Sequence, residues 1–508
     1  MRQESDDITP TARARMKLPA RLGGCGVRSH VEVAPAAYVG MVIRAWPRVV
    51  GASSECGLPI FPSLARDLFW GKQSRPPYIA KSGERKLHGV EGVFQLFQCE
   101  QSLTIIKAAR ECWDTLQERV KADGTAFTKE VALMEGSQQF FTALVEEQVS
   151  SSLRSSLQAA HRSRHVPKTQ SLCSEELMAF LSVDALSSIW VTQCPDYIGR
   201  LNDVEFMTTV ADYLALPVPY CKPYVGRPLP AATIERSRLK IADLRGLAFR
   251  NARVQGDGWR RCHDAALTTL VAILKDAGVD VEREPSRLFD AALPGVDPRC
   301  IAPTEAVGKI TPDFLLDLPE VQNDEGETLC EACVILGELK MIHGGSPYDL
   351  CVKKPMHRLY AVENRSHKIR KAYFTAASTL DAKFSDASPG PFTKHLQALG
   401  DIWGLVSGVY GESNGNLRKL LDYAAHLTPS TSDASAFAVV KHSYYRRFAN
   451  TVYRAKAGLL SRRLYLVKPN AAANDARMAS SSHSSSASVD DAFLSWDLRH
   501  GRRLFSAS

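Results

Sequence analysis

The sequence has no uninterrupted apolar run as long as a membrane span, which excludes a helix that crosses a bilayer. It has little excess of either charge. There are 63 Lys plus Arg against 55 Asp plus Glu, and the formal +8 permits a polyanionic partner without requiring one. It has no cysteine framework. The 12 Cys are scattered, a pattern that predicts reduced thiols in an intracellular protein. Cys330 and Cys333 form the one close pair, and no second pair or pair of His stands at metal spacing. A structural zinc site needs one or the other beside the first pair, so these two cysteines read as strand residues and no zinc is predicted. The N-terminus, Met-Arg-Gln-Glu-Ser-Asp-Asp, is too acidic and polar for a signal peptide. Gly23, Gly24 and Gly26 cluster without a following Gly-Lys-Ser/Thr, which excludes a phosphate loop and predicts a tight turn. No internal repeat is present.

The 508 residues, 45% of them hydrophobic, suffice for a sizeable core and about two to four domains. The most informative stretch runs from Thr311 to Lys340. Two runs rich in Leu, Val and Ile are separated by Pro319 and the polar segment 320–328, and this predicts two neighbouring strands. Strand side chains alternate faces, so Asp313, Leu315 and Asp317 share one face while Phe314, Leu316 and Leu318 share the other. On the second strand Glu338 and Lys340 share a face. Pairing the strands brings Asp313, Glu338 and Lys340 to one end of a sheet. Two carboxylates beside an ammonium make a hard, oxygen-rich site suited to Mg²⁺. An ordinary buried hairpin with a surface Glu and Lys is the plainer alternative.

The order Pro-Asp … Glu-x-Lys resembles the PD-(D/E)xK, restriction-endonuclease-like nucleases. In such chemistry a metal neutralises charge on the phosphate and lowers the pKa of the attacking water. The resemblance implies that Asp313, Glu338 and the Leu339 carbonyl hold Mg²⁺, with Mn²⁺ as a substitute. It also implies that Lys340 orients or deprotonates the water. Asp317 adds to the site or merely faces it.

Three further stretches bear on this resemblance. Leu18-Pro-Ala-Arg-Leu-Gly-Gly-Cys-Gly-Val-Arg-Ser29 is similar to the segment after the reverse transcriptase palm in non-LTR retrotransposon polyproteins. The polymerase's own aromatic-x-Asp-Asp motif is absent from the chain. Ser187 to Trp190, Glu205-Phe206 and Leu214 to Pro219 resemble the tail that precedes the endonuclease in those elements. Relatives carry a Cys/His knuckle after this point, but only Cys221 stands here, so no knuckle is predicted. Gly256 to Asp264 resembles the element that opens the nuclease domain. There Asp257 or Gly258 can cap a helix, Gly278 can stop it, and Asp264, Leu267, Val271 and Leu274 share a face. The resemblance makes Asp264 a candidate accessory ligand and His263 a candidate substrate contact. Either residue can equally be a capping or surface group.

Elsewhere the reading is coarser. Residues 64–216 carry helical stripes, among them Leu103, Ile106, Ala109 and Cys112, then Leu133, Phe140, Phe141, Leu144 and Val145. The polar segment 150–174, with His161, Arg162, Arg164, His165 and Lys168, reads as a linker or solvated helix, or as an RNA-binding patch. Tyr373, Ala376, Ala377, Leu380 and Phe384 mark a core stripe of a later helix. On that helix Arg365 and Lys368, spaced i, i+3, are candidate phosphate contacts. Ile402 to Tyr410 reads as a last strand. Residues 435–466 form a long helix in which Tyr444, Tyr445, Phe448 and Tyr453 interleave with Arg and Lys. This helix suits either a nucleic-acid strand or a packed core. From Pro469 the chain is Ala/Ser-rich and is predicted to be disordered.

The fold expected is an α/β nuclease domain, a mixed sheet flanked by helices, of about 170–190 residues. The expected divisions are a mostly helical region over 1–240, the nuclease over 241–430, a basic helix over 431–468 and a tail over 469–508. The activity implied by the resemblance is that of a Mg²⁺-dependent endodeoxyribonuclease that nicks target DNA for a retroelement. Its substrate is DNA, with RNA as an alternative, its location is nuclear, and its reverse transcriptase lies upstream or acts in trans. No membrane partner is expected. A repair or junction nuclease of the same fold, a non-catalytic nucleic-acid-binding remnant and a helical interaction protein are the alternatives.

Overall fold

The computed structural model describes residues 8–27, 78–79, 85–86, 137–163, 172–192, 200–229, 241–251, 258–285, 311–322, 327–342, 359–384, 387–428, 434–464 and 467. The stripe at Leu103 to Cys112, Leu133, Asp257, Arg164, His165, Lys168 and the tail from Pro469 lie outside these residues. The side chains of Phe140, Phe141, Leu144, Val145, His161, Arg162 and Phe384 do so too.

The N-terminal part is helical. It contains α1 (Pro10–Lys17), α2 (Ser137–Ser163), α3 (Leu172–Leu181) and α4 (Asp203–Leu214). The polar segment that begins at Ser150 thus starts as a continuation of α2. The glycines after α1 form the predicted turn. Gly23 adopts φ +87°, and Gly24 lies so close to the Leu18 carbonyl that a Cβ would overlap it. Buried Arg15 ties the turn to α3 through the carbonyls of Gly23 and Ala179.

A four-stranded sheet forms the centre of the rest. In chain order come α5 (Gly258–Asp276), β1 (Val281–Arg283), β2 (Phe314–Leu318) and β3 (Cys333–Met341). They are followed by α6 (Tyr360–Phe384), α7 (Pro391–Leu399), β4 (Asp401–Ser407), α8 (Gly415–Leu427) and α9 (Ala434–Leu464). The sheet order is β1-β2-β3-β4. β1 to β3 run antiparallel, whereas β4 lies parallel to β3. A parallel neighbour needs a long crossover, and α6 and α7 supply it.

Helices cover both faces of the sheet. On one side Phe314, Leu316, Leu318, Ile335, Leu339 and Leu405 meet α5, α8 and α9. On the other Leu336, Ile402 and Val406 meet α6 and α7. A sheet buried on both faces needs apolar side chains in both directions, and this explains the near-continuous apolar runs of β3 and β4. α5 stops at Gly278, which takes φ +79° as the predicted C′ residue. Its buried stripe contains Leu267, Leu270, Val271 and Leu274.

The expected strand 402–410 ends at Ser407. Gly408 to Asn414 then form a buried turn. There the Asn414 side chain accepts from Val406 N–H at 2.8 Å and donates to the Gly404 carbonyl at 2.7 Å while capping α8. Asp381 accepts from the amides of Phe392 and Thr393 and so caps α7.

The segment expected as a separate basic helix is built into the core. In α9 Tyr444, Tyr445, Phe448, Val452 and Tyr453 are buried against α5 and α8, while Leu460 shares a cluster with Val218 and Cys221 of the N-terminal part. Lys456 and Arg463 are buried with them. The interleaved aromatics are therefore core residues, not a stacking surface for bases. α9 spans both halves of the chain, so the expected boundary at 430 cuts through one hydrophobic core.

Candidate active site

The strand register sets the site. Phe314 pairs with Gly337, and Asp313, one residue earlier, comes opposite Glu338. Directly opposed residues of antiparallel strands point to the same face. Asp313, Glu338 and Lys340 thus share the sheet face turned toward α6.

Each carboxylate is held by specific donors. Asp313 Oδ2 accepts from Leu339 N–H at 2.6 Å and lies 3.2 Å from His263 Nε2. Its Oδ1 carries no hydrogen bond among the described residues. Glu338 is nearly buried, at 9% exposure. Its Oε1 pairs with the Lys340 ammonium and its Oε2 accepts from the Tyr373 hydroxyl at 2.7 Å. Burial, and then the negative charge of Glu338, push the Tyr373 phenol far above its usual value, so it stays a protonated donor.

His263 enters from the first turns of α5. Its Nε2 lies between Asp313 Oδ2 and the Leu339 carbonyl, the latter at 3.1 Å, while Nδ1 meets Asp264 Oδ1 at 3.2 Å. The hydrogen bond to Asp313 raises the His263 pKa above its ordinary value despite partial burial. The candidate substrate contact is thus occupied with holding Asp313.

Asp264 departs from expectation. Its carboxylate is 54% exposed and approaches Arg260 at 3.8 Å, so it does not border the core. Among the described residues it meets the acidic pair only through the His263 ring. The buried stripe of α5 runs through Cys262, Ala266, Leu267, Leu270 and Leu274, and Asp264 falls to the side of it, turned to solvent. Asp317 is exposed opposite Val334, at the far end of β2. Arg365 and Lys368 lie on the exposed side of α6 and touch none of the four residues Asp313, Glu338, Lys340 and His263. Cys330 and Cys333 are free, half-buried thiols beside the start of β3.

Tyr373 was visible in the sequence only as one position of a core stripe. The signal was its type: a buried tyrosine, unlike a phenylalanine, needs a partner for its hydroxyl. Which partner depended on how α6 lies across the sheet.

Among the described residues no three His, Cys, Asp or Glu side chains group to hold a metal ion. Two carboxylates and the Leu339 carbonyl nevertheless supply hard oxygen donors, and Asp313 Oδ1 is uncommitted. That donor chemistry fits a small divalent cation better than zinc or copper. Comparison with protein families, curated proteins and solved structures gives no match to this chain.

Proposed function

We propose that the chain is a metal-dependent endonuclease that hydrolyses phosphodiester bonds in DNA, as the target-nicking part of a non-LTR retroelement. The observation that supports this reading is the opposition of Asp313 and Glu338 across the β2–β3 ladder, with Lys340 on the same face.

Asp313, Glu338 and the Leu339 carbonyl would hold Mg²⁺ or Mn²⁺. A bound divalent ion supplies charge neutralisation for the phosphate and a more acidic water. The chain's own residues do the rest. His263 and Leu339 N–H fix the Asp313 carboxylate, and Lys340 presents an ammonium beside the acids, where it can orient a water or a phosphate oxygen. DNA is the proposed partner and the nucleus the proposed location, with a reverse transcriptase upstream or in trans.

Nicking of supercoiled plasmid tests the reading. Wild type with Mg²⁺ or Mn²⁺ should convert it to open circles, and Asp313→Ala or Lys340→Ala should abolish the conversion. Equal nicking by all three proteins would reject the assignment. A non-catalytic binding remnant is the second reading. It is favoured by the engagement of both Glu338 oxygens, and it predicts DNA binding without nicking in any protein.

A further inference from the structure

The proposed chemistry of Asp313, Glu338 and Lys340 does not account for one buried polar group beside them. Tyr373 is 4% exposed and sits among Leu336, Ile369, Ala376 and Ala377. A phenylalanine would fill that place without a polar atom to satisfy. An unpaired buried hydroxyl is costly, and the Glu338 carboxylate is the partner that removes the cost.

The reach of this side chain follows from the direction of α6. Ser366 Oγ bonds the Gly404 carbonyl and Arg370 approaches Asp401, so α6 runs antiparallel to β4. Tyr373 lies beyond Arg370, below the level of the site. Helical side chains lean toward the helix N-terminus, and the phenol therefore points back toward Glu338, which pairs with Gly404.

We propose that Tyr373 is a positioning residue, which holds Glu338 Oε2 so that Oε1 faces Lys340 and the Asp313 side. It would touch neither substrate nor metal, and its effect would pass through Glu338 alone. This rests on the nuclease reading above.

Tyr373→Phe removes one oxygen and keeps the ring. Mn²⁺ binding, followed by the loss of the free-ion EPR signal, should weaken about 10- to 100-fold, the usual cost of losing a group that orients a ligand. The near-ultraviolet circular dichroism spectrum and the DNA affinity without metal should match wild type. Added to Glu338→Ala, the same substitution should weaken Mn²⁺ binding no further, because coupled residues are not additive. Unchanged Mn²⁺ affinity in Tyr373→Phe, or a further loss on top of Glu338→Ala, overturns the assignment of Tyr373. A wild type that binds no Mn²⁺ overturns the nuclease reading and this inference with it.

Discussion

The ring of Phe314 lies over Gly337, and a Cβ built on that glycine would collide with it. These two residues face each other across β2 and β3, one step from Asp313 and Glu338. The glycine lets the ring lie flat across the neighbouring strand, and the ring in turn holds the register that opposes the two acids.

Gly337→Ala should therefore cost about 1–3 kcal/mol, the range for overfilling a close-packed core. Urea unfolding measures it. Because the ring and the acids share one register, Mn²⁺ affinity should fall as well. A stable variant with unchanged Mn²⁺ affinity would show that the ring does not guard the register.

Asp212 and Arg250 form a buried ion pair, with Nη1 at 2.7 and 2.8 Å from the two carboxylate oxygens. Asp212→Ala strands a buried guanidinium and should cost about 3–5 kcal/mol. Asp212→Leu combined with Arg250→Met should cost clearly less, since neither charge is then left unpaired. Denaturant midpoints of the three proteins decide, and an equal loss in the single and double variants would contradict the argument.

Lys456 is buried, and its ammonium donates to the carbonyls of Gly408 and Val409. Burial pushes its pKa down to about 8, although Glu412 and Asp212 pull it up. The unfolded chain, with a lysine near its ordinary value of about 10.4, holds more protons between those limits, so this residue makes stability rise with pH there. Below about pH 8 the protein bears the full cost of the buried charge. Lys456→Met should thus be more stable than wild type at pH 7 by up to about 3 kcal/mol, with the gap narrowing at pH 9. Urea midpoints at both pH values test the sign; a widening gap refutes it.

Phe448 on α9 is 1% exposed between α5 and α8. Phe448→Ala should cost about 3–5 kcal/mol. Removal of residues 435–508 should leave the chain unfolded, read as loss of near-ultraviolet circular dichroism. A truncated protein with a native spectrum and weaker DNA binding would restore α9 as a separate nucleic-acid arm.

The sequence by itself determined the local elements around the site. Alternation along 313–318 and 333–341 is a local property, and so is the glycine stop at Gly278. Each depends on residues within a few positions, and each was legible. Contacts between distant segments were not. Nothing in the local pattern says that the aromatics of α9 face inward, because an amphipathic helix looks the same whether it covers a core or a nucleic-acid strand. Asp264 looked like a neighbour of the core stripe, but where the stripe meets the sheet is set by the whole helix, and that left the carboxylate in solvent. The bonds from His263 to Asp313 and from Tyr373 to Glu338 join α5 and α6 to strands 35 to 50 residues away in the chain. Only the stacking of helices on both faces of the sheet could bring those side chains within hydrogen-bond distance.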